Sequence, residues 1–190
     1  MSLLALIALL AAAQTQPGPV GGLDPRMVQT SEIDSAIGEF DRLCLASPFD
    51  RASYEAAIRA SHWRFRPAGG APEGASAYES RRGYAFFRDA TPAGRSLPQC
   101  NLDTATGRPH ARDLLVARIE ARLARRLGSV PPRLGANGSL FWQWPAEAGK
   151  VARLYLMRRP SDDPRQITLT LQKWPADLAG VGATPREAPE

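Results

Sequence analysis

A strict alternation of apolar and polar residues decides the fold, and it runs along QITLTLQKW, residues 166–174. Isoleucine or leucine occupies the odd positions from 167 to 171, and threonine or glutamine occupies the even positions beside them. Successive side chains of a strand point to opposite faces, so this pattern predicts a sheet with one apolar face and one polar face. Antiparallel sheets commonly have this property, whereas parallel sheets are covered on both faces.

Five strands are predicted in two groups, because clusters of proline, glycine and aspartate interrupt the apolar segments. Pro98 lies inside one of these strands and removes a backbone donor, so that strand should lie at an edge or contain a bulge. A loop is predicted over residues 67–80, which contain three glycines. The predicted strands cover residues 84–88, 95–102, 140–144, 151–158 and 166–174.

Three helices complete the predicted order α-α-β-β-α-β-β-β. The first begins near Thr30 and ends before Pro48, and its apolar residues, including Cys44, recur at helical spacing. The second follows a cap at Asp50 and runs to about Trp63. The third runs from about residue 108 to Leu127 and stops at Gly128. We therefore predict an α+β domain in which an amino-terminal helical hairpin and one further long helix pack on an antiparallel sheet of about five strands.

The amino-terminal segment Met1–Ala13 is apolar and ends in three alanines ahead of polar residues, which predicts a secretory signal peptide. Its apolar run is about eleven residues long, where a spanning helix needs about twenty, so a membrane anchor is the less favoured alternative. We expect a periplasmic or secreted protein without a transmembrane segment in the mature chain. Residues 14–30 are predicted to be a flexible lead-in, 31–174 a single domain, and 175–190 a disordered tail.

Two cysteines, Cys44 and Cys100, are present in the whole chain. In an oxidising compartment a lone pair of cysteines predicts a disulfide bond. A reactive thiol pair is the alternative, but it favours a close spacing such as CxxC, which this chain lacks. We therefore predict a structural bridge that joins the end of the first helix to a strand.

The sequence around the first cysteine carries a family resemblance. Phe40-Asp41-Arg42-Leu43-Cys44-Leu45 is followed by Asp50-Arg51-Ala52 and by a helix that ends in His62-Trp63. This arrangement resembles small uncharacterised exported proteins of alphaproteobacteria, in which an amino-terminal helix carries FxxxC and ends near a tryptophan. The resemblance covers about the first third of the mature chain and the later cysteine, and it implies no activity.

The chain is basic, with a formal net charge of +5 and a sequence pI of about 9.8. Nucleic-acid binding is disfavoured because an exported protein rarely meets nucleic acid. Arg118, Arg122 and Arg125 recur on one face of the third predicted helix, apart from its leucines. Guanidinium groups in such a row fit phosphate or carboxylate groups, so an acidic envelope protein or an anionic lipid headgroup is a candidate partner. A solvated helix face is the alternative.

Aromatic residues provide a second candidate binding surface. Trp142 and Trp144 share one face of their predicted strand, and Trp174 ends another strand on the side opposite its leucines. If that side is open, the tryptophans and Tyr155 would form a platform for a peptide, a sugar or a lipid headgroup. Burial of the tryptophans beneath the helices is the alternative.

Catalytic and metal-binding patterns are scarce. His62 and His110 are the only histidines, and neither has a fixed relation to a serine or cysteine. The chain contains no GxSxG or HExxH motif, and no glycine-rich loop precedes a helix in a phosphate-binding arrangement. Asp162-Asp163 lacks the spaced oxygen ligands of a calcium loop, so it is interpreted as a turn. We predict no catalytic residue, no metal site and no cofactor from these patterns.

The functional hypothesis is a non-enzymatic envelope protein that binds a macromolecule or an anionic surface through the arginine row, the tryptophans or both. A small periplasmic hydrolase, whose polar residues converge only in the folded chain, is the alternative. A pocket that holds a histidine beside a carboxylate would favour the hydrolase. A structural envelope protein without a specific ligand is a third interpretation.

Overall fold

The computed structural model is an α+β fold in which three α-helices pack against one antiparallel sheet, as the sequence predicts. The predicted signal peptide and most of the predicted lead-in lie outside the described residues. The sheet has nine strands, so the prediction of about five is too low. The structure describes residues 25–45, 48–71, 74–90, 97–135, 138–147, 149–157, 163–178 and 183–185.

The helices are α1 (Pro25–Phe40), α2 (Arg51–Arg59) and α3 (Arg112–Leu127), and a π-helical turn over Asp41–Leu45 continues α1. The carboxylate of Asp50 caps α2 by accepting a hydrogen bond from the Ser53 backbone N–H at 2.8 Å. The strands are β1 (Arg66–Pro67), β2 (Ala75–Ser80), β3 (Gly83–Arg88), β4 (Gln99–Ala105), β5 (Arg133–Gly135), β6 (Leu140–Pro145), β7 (Lys150–Leu156), β8 (Gln166–Pro175) and β9 (Ala183–Pro185).

Two antiparallel meanders form the sheet, whose order is β1-β2-β3-β4-β8-β7-β6-β5-β9. The first meander, β1 to β4, follows α1 and α2, and the second, β5 to β8, follows α3. Their last strands, β4 and β8, pair in antiparallel register, with Cys100 opposite Leu171 and Leu102 opposite Leu169. The chain therefore forms a similar helix-and-meander arrangement twice and joins the two at the centre of the sheet.

The strand predictions fail where strands are short or lack large apolar residues. β2 lies within the predicted loop, because small and polar residues hide its alternation. β1, β5 and β9 contain two or three residues each, which is too few for a periodic pattern. The prediction of an edge position for the strand with Pro98 is wrong. β4 begins after Pro98 and lies between β3 and β8, so the proline does not interrupt the ladder.

The hydrophobic core lies between the helices and one face of the sheet. On the sheet side, the odd-numbered apolar residues of β8 are each no more than 3% exposed, as the apolar–polar alternation over residues 166–174 predicts. On the helix side, α3 contributes the face that carries Leu115, Ile119 and Leu123. Burial of this apolar stripe is the main source of stability for such an amphipathic helix. The remaining core residues of the helical layer include Ile33, Ile37, Phe40, Tyr54 and Ile58.

The opposite face of the sheet is polar and aromatic. At its centre Asn101 donates a hydrogen bond to the Thr170 hydroxyl at 2.9 Å. Towards β6, the guanidinium of Arg153 lies 5.0 Å from the ring centroid of Phe141 and 4.8 Å from that of Trp174. Arg153 is only 4% exposed, so these cation–π contacts belong to the internal packing of this face.

The predicted disulfide between Cys44 and Cys100 is confirmed. Cys44 lies in the π-helical turn and Cys100 in β4, and their Cα atoms are 5.7 Å apart. Both residues are buried, at 3% and 0% exposure. The bridge therefore joins the helical layer to the centre of the sheet.

Glu147 binds both lysines of the chain at the turn between β6 and β7. Lys173 Nζ lies 2.6 Å from Oε2 of Glu147, and Lys150 Nζ lies 2.9 Å from Oε1. Hydrogen bonds from Lys173 and then Lys150 lower the pKa of this carboxyl from its ordinary value to about 2. A lowered pKa means that the interaction stabilises the fold above the ordinary carboxyl pKa and that this contribution is lost as the pH falls toward 2.

We therefore expect a carboxyl-carbon NMR titration of Glu147 to give a pKa near 2. Lys173→Met should raise that pKa, because it removes the stronger of the two interactions. A Glu147 pKa that is ordinary in the wild type, or unchanged in Lys173→Met, would contradict the assignment.

Candidate functional site

The arginine row predicted on α3 faces two acidic residues, Asp34 of α1 and Asp41 of the π-helical turn. Arg122 Nε donates to Asp41 Oδ2 at 2.9 Å, and Arg126 Nη1 donates to Asp41 Oδ1 at 3.1 Å. Arg118 Nε lies 3.7 Å from Asp34 Oδ1. The aspartates thus bind Arg118 and Arg122 internally and reduce the charge available to an external anion.

Arg125, the third residue of the predicted row, is exposed and makes a local contact. Its Nε donates to the backbone carbonyl of Ala121, one turn earlier in α3, at 3.2 Å. A single exposed arginine of this kind is a weak anion site. The three residues of the row therefore differ in how far their charge is paired within the chain.

The ion pairs of Asp41 with Arg122 and Arg126 should stabilise the fold. Asp41→Asn should lower the free energy of unfolding by about 2 kcal/mol, because it weakens two charge-assisted hydrogen bonds to a buried carboxylate. It should also lengthen retention on a cation-exchange resin, since Arg122 and Arg126 lose their carboxylate. Asp177→Asn makes the same charge change at an exposed site and is the control. Equal stability and equal retention of the two variants would contradict the internal pairing.

The three tryptophans do not come together on one surface. Trp142 is opposite Leu154 of β7, which places it in the core at 0% exposure. Trp144 lies on the same face of β6 and packs against the core as a half-buried residue. Trp174 lies on the opposite face of the sheet with Tyr155. Trp142 is consequently a core residue, and a platform shared by all three tryptophans does not form.

A different cluster of arginines surrounds a cavity of about 630 Å³ beside the β2–β3 hairpin. Four arginines and one glutamate line it, which gives a local excess of three positive charges. Its lining residues are His62, Trp63, Arg64, Arg66, Glu79, Ser80, Arg81 and Arg82. We call this site the basic cavity.

The four arginines of the basic cavity differ from those of α3 in their pairing. Within the part of the chain that the structure describes, none of the four guanidinium groups has a carboxylate within ion-pair distance. All four side chains are exposed. Their charges are therefore available to an external anion.

The first wall of the basic cavity is the turn that follows α2. Ser61 fixes it, because its hydroxyl donates to Glu39 Oε1 at 2.6 Å and accepts from the Trp63 backbone N–H at 3.0 Å. Arg64 has a φ of 54°, in the left-handed region that non-glycine residues rarely adopt. Such backbone strain persists where the surroundings hold it in place, and it occurs often at functional sites.

The second wall is the tip of the β2–β3 hairpin, which places Arg81 and Arg82 side by side. Ser80 and Gly83 pair across the turn, and the Ser80 hydroxyl oxygen accepts from the backbone N–H groups of Arg82 at 3.1 Å and Gly83 at 3.2 Å. A Cβ on Gly83 would lie 2.4 Å from the carbonyl oxygen of Asp103, so the close approach of β4 requires glycine. Both walls therefore hold their arginines on a defined backbone.

An aromatic pair adjoins the basic cavity. The rings of Trp63 and Phe65 stack with centroids 6.0 Å apart. Trp63 is 8% exposed and Phe65 is half-buried. Trp63 belongs to the core cluster and Phe65 packs against it, so the pair anchors the segment that carries Arg64 to the core.

The second histidine, His110, lies in a separate cavity of about 520 Å³ at the start of α3. Asp113 and Asp163 also line this cavity. Asp163 forms a two-point ion pair with Arg165, whose Nη2 and Nε lie 2.8 and 3.0 Å from the two carboxylate oxygens. This pair lowers the pKa of Asp163 to about 2. Asp162, the other half of the predicted acidic turn, lies outside the described residues.

The arginines of the basic cavity are visible in the sequence, but their spatial arrangement is not. Arg64 and Arg66 lie two residues apart, and Arg81 and Arg82 are adjacent, yet a predicted loop separated the two groups. Only the β1–β2 and β2–β3 pairings bring them around one cavity. Recognition of β2 was therefore the missing signal.

Comparison with known proteins identifies no relative: no family model, no curated protein and no solved structure matches the chain significantly. Among the residues described, no helix has the length and apolar character needed to cross a bilayer. The candidate function therefore depends on the geometry of the chain itself.

Proposed function

We propose that this protein is a non-enzymatic, exported binding module that attaches to an anionic, phosphate-bearing membrane surface through the basic cavity. The observation that carries the proposal is the set of four exposed arginines around one cavity without a carboxylate partner among the described residues. The α3 arginines named from the sequence contribute less, because Asp34 and Asp41 bind two of them.

The chemistry of the basic cavity suits phosphate groups. A guanidinium group presents several N–H donors in a planar fork that matches phosphate oxygens, and it keeps its charge at any physiological pH. Each basic side chain close to an anionic membrane contributes about 1 kcal/mol of attraction.

Export is part of the proposal. The Cys44–Cys100 disulfide supports it, because such bonds persist in oxidising compartments. The apolar segment at the amino terminus and the resemblance to exported alphaproteobacterial proteins point in the same direction. A location in the periplasm or outside the cell would give the basic cavity access to phosphate-bearing envelope lipids.

The test compares two charge-matched variants on phosphatidylcholine vesicles with and without phosphatidylglycerol. Arg81→Gln with Arg82→Gln should weaken binding to the anionic vesicles about thirtyfold, since two basic contacts of about 1 kcal/mol are lost. Arg125→Gln with Arg133→Gln removes the same charge from exposed sites outside the basic cavity and should change binding much less. Equal losses in the two variants would mean that net charge alone drives association and would contradict the proposal.

The hydrolase alternative is favoured by one observation, the presence of His110, Asp113 and Asp163 around the same cavity. The contacts of these residues argue against it. Nδ1 of His110 lies 3.1 Å from the Thr106 hydroxyl, and Arg165 holds Asp163. Neither serine nor cysteine is among the described residues that line the cavity. Hydrolysis of a p-nitrophenyl ester that disappears in His110→Ala would support the hydrolase instead.

A further inference from the structure

The cavity beside His110 has an apolar wall built from four elements. Leu115 of α3, Leu140 of β6 and Leu156 of β7 line it from the core, and Leu134 of β5 lines it at the surface. Leu134 is 43% exposed, and it is one of only two large apolar side chains with high exposure among the described residues. A volume of about 520 Å³ is within the range of about 300 to 1,000 Å³ that small-molecule sites commonly have.

The charges around this cavity balance. Arg112 and Asp113 are neighbours of opposite sign, and Asp163 is neutralised by Arg165. A ligand with a net charge would therefore gain little from the cavity, in contrast to the basic cavity. The lining favours a neutral molecule.

His110 offers one polar contact in this cavity, beside the polar side chains of Gln166 and Thr168. Thr106 Oγ1 donates its single proton to a backbone carbonyl, that of Arg108 at 2.6 Å or that of Arg165 at 3.2 Å. It can then only accept from His110, which assigns the ring proton to Nδ1 and leaves Nε2 as an acceptor. Burial lowers the pKa of His110, which favours this neutral form. Nε2 has no hydrogen-bond partner within the described part of the chain.

The geometry points to a second ligand site in this cavity, for a neutral and largely apolar small molecule with one O–H or N–H donor. The apolar body of the ligand covers Leu134 and the leucines behind it, and the donor binds Nε2 of His110. The site is distinct from the basic cavity, because the two cavities share no lining residue. It adds a small-molecule ligand to the proposed membrane attachment and does not depend on it.

The experiment is a fluorescence titration of the protein with N-phenyl-1-naphthylamine, a neutral apolar probe with one N–H donor. Saturable binding at one site is expected. Leu134→Asp should weaken it by at least about tenfold, because apolar contact with the leucine is lost and a charge enters the cavity. Leu127→Asp places the same charge at the other highly exposed leucine, outside the cavity, and should leave binding unchanged. Non-saturable binding, or equal weakening by both variants, would overturn the proposal.

A second comparison tests the role of His110. The N-methylated probe lacks the donor and should bind the wild type about fivefold more weakly, as expected for one hydrogen bond. His110→Leu should bind the two probes equally. A preference for the N–H probe that persists in His110→Leu would overturn the assignment of Nε2. Arg81→Gln with Arg82→Gln should bind the probe as the wild type does, so failure of the membrane proposal is distinguishable from failure of this one.

Discussion

Loss of the Cys44–Cys100 disulfide is expected to lower the free energy of unfolding by about 4 kcal/mol. The two cysteines are 56 positions apart, and closing a loop of this length restricts the unfolded chain by about that amount in the loop-entropy account. The effect should be large in this fold because the bridge joins the π-helical turn to the central strand β4. Urea unfolding of Cys44→Ala with Cys100→Ala, compared with the oxidised wild type, measures it.

Reduction of the wild type provides the control for this result. The reduced protein keeps both side chains and loses only the cross-link, so its loss of stability should be close to that of the double variant. A loss below about 1 kcal/mol in both samples would contradict the view that the bridge is a main structural element.

Replacement of Trp142 by alanine should lower the free energy of unfolding by about 3 to 5 kcal/mol, the range for large-to-small changes of buried aromatic residues. Trp142 is 0% exposed and lies in the core cluster beneath the helical layer. The measurement is again the free energy of unfolding in urea. Trp174→Ala serves as a comparison on the other face of the sheet, where the half-buried ring should contribute less.

Trp142→Phe separates packing from hydrogen bonding. The indole Nε1 is buried and has no hydrogen-bond partner among the residues that the structure describes, so phenylalanine removes an unsatisfied donor while it keeps most of the apolar volume. We expect this variant to lose much less stability than Trp142→Ala. A full loss in Trp142→Phe, or a negligible loss in Trp142→Ala, would contradict the core assignment.

The long periodic elements were predictable because their patterns carry the core. The alternation over 166–174 predicts β8, and the leucine spacing up to Leu127 predicts α3. Asp50 predicts the start of α2, and the lone pair of cysteines predicts the disulfide. In each case a local rule and the tertiary structure agree.

The remaining features depend on contacts between distant residues. β2 contains small residues that gain their strand conformation by pairing with β3, so its own sequence resembles a loop. Asp41 binds two arginines of α3 that lie more than 80 positions later in the chain, and the sequence of α3 alone does not predict this pairing. The four arginines of the basic cavity likewise meet only through the sheet. Identical residue types therefore formed an internal ion pair in one place and an open charged cavity in another.

The central claim, that anionic phosphate groups bind at the basic cavity, is tested most directly by amide NMR. The nitrogen-15-labelled protein is titrated with dihexanoyl phosphatidylglycerol, and dihexanoyl phosphatidylcholine is the control. We expect saturable shifts that concentrate at residues 62–66 and 79–83 and occur only with the anionic lipid. Shifts that concentrate on α3, that spread evenly over basic residues, or that match those with phosphatidylcholine would contradict it.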